Sequence, residues 1–320
     1  MLHIDHHLTA DDLAKTLRAD AVEGLSSRPK ALPPKWFYDE RGSVLFEEIT
    51  RLQEYYPTGA ERAILQRRTP EIARIAGADT LVELGAGSGE KTRLLLDALL
   101  GAETLRRFVP VDVSGDFLGE AAAAIGAAYP GLEVHAVVAD FERHMHLLPA
   151  GGRRLVAVLG STLGNQAPAG RRSFLTDLRS GFTADDTLLL GVDLVKDPQR
   201  LVAAYDDARG VTAEFNRNVL QVLNRELGAG FDPAAFDHLA VWDAGNEWIE
   251  MRLRSRIAQR VRVAALEMDV EFAAGEQMRT EISAKFRREG IEAELNAAGF
   301  ALDAWWTDPA GDFAVLLARP

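Results

Sequence analysis

From about Ala60 to Val195 the chain repeats one pattern: short, nearly unbroken apolar runs separated by longer stretches with helical spacing. The runs are TLVELGAG, RFVPVDV, VHAVVADF, RLVAVLGS and TLLLGVDLV. A strand covered on both faces reads as a continuous apolar run, because neither side of it meets water. The pattern therefore predicts a parallel sheet with helices on both faces, wound by right-handed crossovers into an open α/β fold. The closing segment, IEAELNAAGFALDAWWTDPAGDFAVLLARP, predicts a helix, a glycine stop, a strand around DAWWTD, a Pro-Ala-Gly turn and a last strand FAVLLAR. That ending reads as an antiparallel hairpin at the sheet edge.

The flanking regions break the alternation. The first sixty residues hold an amphipathic stretch, DDLAKTLRADAVEGL, a turn-rich segment, PPKWFYDERGS, and VLFEEITRLQEYYPT, which reads helical until Pro57 stops it. Trp36, Phe37, Tyr38 and Phe46, followed by Tyr55 and Tyr56, make this a packing segment rather than a linker. Between about Lys196 and Gly275, helical segments (RLVAAYDDA, VTAEFNRNVLQVLNREL, PAAFDHL) precede two strand-like stretches, EWIEMRLRSR and QRVRVAALEMDVEF. The expected organisation is a second, α+β lobe built from residues 1–60 and 196–280, inserted into a first lobe of residues 61–195 and 281–320.

Composition narrows the partners. Lysine and arginine total 36 against 48 aspartate and glutamate, and the resulting net charge of −12 opposes binding to a phosphate backbone. No apolar run approaches the ~20 residues that span a bilayer, and MLHIDHHLTADD has neither a basic start nor a signal-length apolar segment. A cytoplasmic protein, active as a monomer without nucleic acid or membrane, is expected. With no cysteine, disulfides, thiolate metal sites and cysteine nucleophiles are excluded. His3, His6 and His7 resemble a metal cluster only superficially; a terminal stretch of this kind is expected to be disordered and its histidines solvated, so no metal site is expected.

The sharpest chemical signal is TLVELGAGSGEKT, where an apolar strand ends in Glu83 and enters Gly85, Gly87 and Gly89 ahead of a helix. Glycines there let the backbone turn tightly and approach a ligand closely. A dinucleotide loop of the form G-x-G-x-x-G needs its third glycine at position 90, which is Glu90, an acid where a pyrophosphate would lie. The pattern E-x-G-x-G-x-G resembles instead the first motif of class I S-adenosylmethionine-dependent methyltransferases, whose ligand carries no phosphate. Asp112 after RFVPV suits ribose hydroxyls, and Asp140 and Phe141 at the end of VHAVVADF suit an adenine amine and its ring. Each is also an ordinary strand-end residue. Three hits at successive carboxyl ends weigh together, because ligands of open α/β sheets lie along that edge. The next strand runs into Gly160, Ser161, Thr162, Gly164 and Asn165, where small residues leave room and Asn165 can donate and accept hydrogen bonds to an amino-acid head group, or serve simply as a turn asparagine.

Over nearly its whole length the chain resembles the L-histidine-specific Nα-methyltransferases of ergothioneine biosynthesis. The segments that carry the resemblance include PPKWFYDERGSVLFEEITRLQEYYPT, VELGAGSGEKTRLLLDAL, LGSTLGN, AYDDARGVTAEFNRNVLQVLNREL, WIEMRLRS and WWTDPAGDFAVLLA. The resemblance implies a Rossmann-like methyltransferase sheet with a C-terminal antiparallel hairpin and an inserted substrate domain. It also implies three methyl transfers from S-adenosyl-L-methionine to the α-amine of free L-histidine, through mono- and dimethylated intermediates. Matched position by position, it puts cofactor contacts at Tyr38, Gly85, Lys91, Asp112, Asp140 and Phe141. Substrate contacts fall at Tyr55, Asn165, Tyr205, Met251, Glu281 and Ser283.

In that assignment Lys91 pairs with the methionine carboxylate, and Asn165 and Tyr205 hold the head group. Glu281 and Ser283, two apart in an extended segment, project from one face toward the imidazole. Asn165 is the expected catalytic residue, holding the amine lone pair on line with the methyl. Each has a plain alternative: a solvated helix lysine, a packing tyrosine, a core methionine. Where the family carries a cysteine after that serine, this chain has Ala284, outside the pair. Two other readings stay open, an N-methyltransferase acting on another small amine or amino acid, and a nucleotide-binding module without catalysis.

Overall fold

The computed structural model describes residues 2–87, 89–140, 144–145, 149 and 151–320. The chain divides into two compact units, one of residues 1–8, 57–195 and 285–320, the other of residues 9–56 and 196–284.

The first unit is built on an eight-stranded sheet. Its strands lie in the order Leu2–His6, Glu133–Val138, Arg107–Asp112, Thr80–Leu84, Arg154–Val158, Thr187–Asp193, Phe313–Arg319, Ala301–Thr307. All run parallel except Phe313–Arg319, which is antiparallel to both neighbours and closes the expected hairpin. The central strands Thr80–Leu84 and Arg154–Val158 are buried at every position, which is why they read as unbroken apolar runs. Helices Tyr56–Ala76, Glu90–Gly101, Gly115–Ala128, Pro168–Ser180 and Arg288–Ala297 belong to the same unit. The strand order reverses between Thr80–Leu84 and Arg154–Val158, and a ligand crevice forms outside the carboxyl ends at such a switch point.

The second unit carries a four-stranded sheet in the order Lys30–Ala31, Gln277–Ala284, Trp248–Ser255, Phe236–Asp243, and a hairpin of Gln259–Val263 with Met268–Phe272. The helix Val211–Leu227 buries Val211, Phe215, Asn218, Val219, Val222 and Leu223, a stripe at three- and four-residue spacing. Phe37, Leu45, Leu201, Ile249, Leu253 and Met278 complete the core beside it.

Four expectations change. Residues 2–6 form a strand, paired residue for residue with Val134–Val138, because an edge position in a parallel sheet satisfies their backbone groups. Pro57 does not end a long helix: the helix Glu40–Ile49 closes before it, and Pro57 sits in the first turn of Tyr56–Ala76, where no N–H is needed. PAAFDHL is a short 3-10 turn, Pro233–Ala235, leading into the strand Phe236–Asp243 rather than a helix. The strand bearing Glu281 and Ser283 lies in the second unit, which extends to residue 284 rather than to 280.

Candidate active site

In the first unit the carboxyl ends of four strands meet around the glycine loop. Gly85, Gly87 and Gly89 take φ of 73°, 52° and 71°, a left-handed backbone that glycine adopts without steric cost. The Gly85 N–H donates to the Val111 carbonyl at 2.8 Å, tying the loop to the strand that ends in Asp112. A Cβ built on Gly85 or Gly87 meets nothing within 4 Å, so open space lies before the loop. Asp112 accepts the Ser114 N–H at 3.1 Å, and desolvation raises its pKa against the pull of the Ser114, Gly87 and Val113 amides. Asp140 is buried at the end of its strand; Phe141 lies outside the described residues. Glu83 is buried and bonded to the Thr92 hydroxyl. Burial pushes its carboxyl up to about 7, with Thr92 and Lys91 opposing the rise and the Glu61 and Asp112 charges adding to it.

The loop after Arg154–Val158 is held from several sides. Ser161 has φ 59°, uncommon for a residue with a side chain. Its Oγ accepts the Asp193 N–H at 3.0 Å, and Asp193 pairs with the buried Lys285 at 2.9 Å. The Gly160 N–H donates to both carboxylate oxygens of Glu61, at 2.9 and 3.1 Å. Asn165 closes the 3-10 turn Thr162–Asn165 that follows, in a half-buried position. A Cβ on Gly160 would find Lys91 Nζ at 3.6 Å as its nearest neighbour. The left-handed glycine backbone, the desolvated Asp112 at the end of the next strand and the small residues after Arg154–Val158 fit a phosphate-free nucleoside such as S-adenosylmethionine.

The second unit gathers a different set. The Tyr205 and Ser283 hydroxyls are 2.7 Å apart, and the Tyr55 ring stands edge-on to the Tyr205 ring with centroids 6.1 Å apart. Glu281 faces Met251 across the antiparallel ladder, which puts both on one face of the sheet. Glu281 and Ser283 are both buried. Tyr38 joins through Phe46, whose ring lies 5.5 Å from Tyr38 and 6.2 Å from Tyr55. Behind Tyr205, its carbonyl accepts a hydrogen bond from His238 Nε2 at 2.7 Å, while His238 Nδ1 accepts from the Asn216 amide at 2.8 Å.

The profile of a family described as "Histidine-specific methyltransferase, SAM-dependent" matches residues 17–320. The chain belongs to that family. It is 59% identical over 317 residues to the histidine N-alpha-methyltransferase of Mycolicibacterium smegmatis, covering 99% of each protein. It is 56% identical over 315 residues to the protein of that name from Mycobacterium tuberculosis, covering 98% of each. Ergothioneine biosynthesis protein 1 of Neurospora crassa is 33% identical over 205 residues, 62% of this chain and 23% of that protein.

For a histidine-specific methyltransferase the distribution of residues is informative. The structure places Gly85, Lys91, Asp112, Asp140 and Asn165 in the first unit, and Tyr38, Tyr55, Tyr205, Met251, Glu281 and Ser283 in the second. Lys91 forms an ion pair with Glu61, a partner absent from the sequence reading. Glu61 is fully buried, and Gly191 makes room for it: a Cβ there would come within 2.0 Å of Glu61 Oε1. In TGAERAILQRR, Glu61 reads as one more helix-surface acid, and only the fold shows otherwise. His238, Asn216 and Thr280 are likewise silent in the sequence, since lone polar residues in a helix or strand carry no spacing signal.

Proposed function

We propose that this chain transfers three methyl groups in succession from S-adenosylmethionine to the α-amine of free L-histidine, giving hercynine for ergothioneine biosynthesis. The observation that carries the reading is the end-to-end 59% identity to a protein named histidine N-alpha-methyltransferase. The Neurospora relative supports the pathway. Bound S-adenosylmethionine supplies a methyl carbon made electrophilic by its sulfonium.

The residues divide the remaining work. The Gly85–Gly87 backbone admits the cofactor closely, Asp112 accepts its ribose hydroxyls, and Asp140 with Phe141 receives the adenine. Lys91 serves the methionine carboxylate while keeping Glu61 as its partner, and Tyr38 completes the cofactor contacts. Asn165, on the loop fixed by Glu61 and Asp193, holds the substrate amine with its lone pair toward the methyl; positioning of this kind supplies ~7–11 kcal/mol. Tyr205 shares the head group, while Tyr55 and Met251 wall the side chain. Glu281 and Ser283 bond the imidazole. Gly160, Ser161 and Gly164 leave space for a nitrogen that grows by one methyl at a time, so mono- and dimethylhistidine are intermediates and substrates in turn. We propose further that it acts as a monomer in the cytoplasm.

The test is specificity. A carboxylate accepting an imidazole N–H contributes ~1.5–3 kcal/mol net, and a site built for that bond rejects analogues lacking it. Glu281→Ala is expected to lower kcat/KM for histidine by ~10- to 200-fold while affecting an aromatic amino acid such as tryptophan far less. Equal losses for both would show that Glu281 supports the fold rather than the ring. Methylation of another free amino acid in preference to histidine by the parent protein would sink the reading itself.

A further inference from the structure

We propose that the outer edge of the eight-stranded sheet carries a transition-metal site made of His3, Asp5 and His135, separate from the methyl-transfer chemistry. Residues 3 and 5 lie on one face of the edge strand, and His135 is the register partner of His3 on the neighbouring parallel strand. The three side chains therefore share a face of the sheet. His3 Nε2 lies 2.9 Å from one oxygen of Asp5, and His135 Nε2 lies 2.7 Å from the other. The three donor atoms all fall within 4.8 Å of one another. The two rings meet edge to face with centroids 4.7 Å apart.

Ligand atoms at ~2.0–2.2 Å from a zinc ion stand roughly 3.3 Å from each other in tetrahedral geometry. The two N–O separations are shorter than that value and no pair of donors is more than 4.8 Å apart, so side-chain rotations that part each N–O pair and draw the imidazole nitrogens together bring the donors onto one ion. Two imidazoles and a carboxylate suit Zn²⁺, Co²⁺, Ni²⁺ or Cu²⁺ and do not suit Mg²⁺ or Ca²⁺, which prefer oxygen. The side chains are 63%, 36% and 17% exposed for His3, Asp5 and His135, an open arrangement that leaves water to complete the shell.

The ligand set differs from the one the sequence offers. His3, His6 and His7 cluster in the chain, but His6 points to the opposite face of the strand from His3. The residues that converge with His3 are Asp5 and a histidine 130 positions beyond Asp5. Binding there would clip the edge strand to its neighbour. The site stands apart from the cofactor edge: His135 lies three residues before the end of its strand at Val138, about 10 Å at strand rise.

The experiment uses untagged protein, dialysed free of L-histidine ligand, titrated with Zn²⁺ by calorimetry and with Co²⁺ by visible absorbance. One Zn²⁺ per chain is expected, with slower amide hydrogen exchange over residues 2–8 in its presence. His135→Ala and Asp5→Asn should each weaken binding at least about tenfold, since loss of even an outer-shell partner costs 10- to 100-fold. His6→Ala/His7→Ala should leave binding and the Co²⁺ spectrum unchanged, and all variants should retain methyl transfer, which also reports that they fold. No saturable Zn²⁺ binding, or binding lost in the His6/His7 variant and kept in His135→Ala, would overturn the proposal.

Discussion

The hydroxyls of Tyr205 and Ser283 lie 2.7 Å apart, joining the end of the helix Pro198–Tyr205 to the strand Gln277–Ala284 across 78 residues of sequence. One proton fills the space between them, so one of the two hydroxyls keeps a proton to donate elsewhere. In the proposed site a ligand acceptor would be served by the pair rather than by either residue. Tyr205→Phe and Ser283→Ala are each expected to raise KM for histidine by ~10-fold, about 1.4 kcal/mol, and the double variant by clearly less than the product. Steady-state kinetics on the four proteins measure this coupling; strict additivity would mean that the residues act independently.

Glu61 links three segments of the first unit: its own helix, Lys91 on the helix after the glycine loop, and Gly160 on the loop that carries Asn165. Removing the carboxylate strands the Gly160 N–H and leaves Lys91 without its ion pair. Breaking a buried pair costs ~3–5 kcal/mol, but Lys91 is 23% exposed and can reach water, so about 2–3 kcal/mol is expected for Glu61→Ala. Gly191→Ala should mimic it, because the new methyl would occupy the position of the Glu61 carboxylate. Urea unfolding of both variants checks this; a Gly191→Ala protein as stable as the parent would contradict the packing described.

Glu83 makes the fold pH-dependent in an unusual direction. Its carboxyl is raised from 4.5 to about 7, so between those values the folded state holds a proton that the unfolded chain has released. Stability therefore falls as pH rises through this window, by roughly 2–3 kcal/mol between pH 5 and pH 8. Glu83→Gln removes the titration while keeping an acceptor for the Thr92 hydroxyl. In the protein without cofactor, the stability of Glu83→Gln relative to the parent should improve by that amount from pH 5 to pH 8. An equal difference at both values would mean that Glu83 stays charged when folded.

The glycine loop was legible because backbone conformation selects residue type: at Gly85, Gly87 and Gly89 a left-handed φ leaves a visible mark. The buried strands were legible because burial on both faces forces apolar runs. Glu61 left no mark, since a helix acid reads the same whether it faces water or a lysine. PAAFDHL misled because a proline followed by mixed residues opens either a helix or a strand, and pairing with Trp248–Ser255 decides it. LHIDH was too short to show its period, and its neighbour in the sheet lies more than 120 residues away. Glu281 and Ser283 gained meaning from resemblance alone; the ladder opposite Met251 and the bond to Tyr205 came only with the fold.

The last prediction concerns His238, whose protonation state follows from its neighbours. The Asn216 amide donates to Nδ1, so Nε2 carries the proton and donates to the Tyr205 carbonyl; the Thr280 hydroxyl in turn donates to Asn216 Oδ1 at 2.6 Å. A second proton on the ring would oppose the Asn216 amide, and burial lowers the His238 pKa below its ordinary 6.5, against the pull of the Tyr205 carbonyl and the Asp206 charge. Below pH 6.5 the unfolded chain binds a proton that the folded state refuses, so this contribution is complete above 6.5 and is lost as pH falls. Its sign is opposite to that of Glu83, and the two partly cancel in the parent protein. His238→Gln should cost about 1–2 kcal/mol at pH 7.5 through one imperfect hydrogen bond, and the deficit should shrink by pH 5. Because the chain of bonds runs from Tyr205 to Thr280, the neighbour of Glu281, KM for histidine should rise more than kcat falls. Urea unfolding at the two pH values, with kinetics at pH 7.5, reads both effects; a deficit that is constant with pH would show that His238 titrates alike in the folded and unfolded chains.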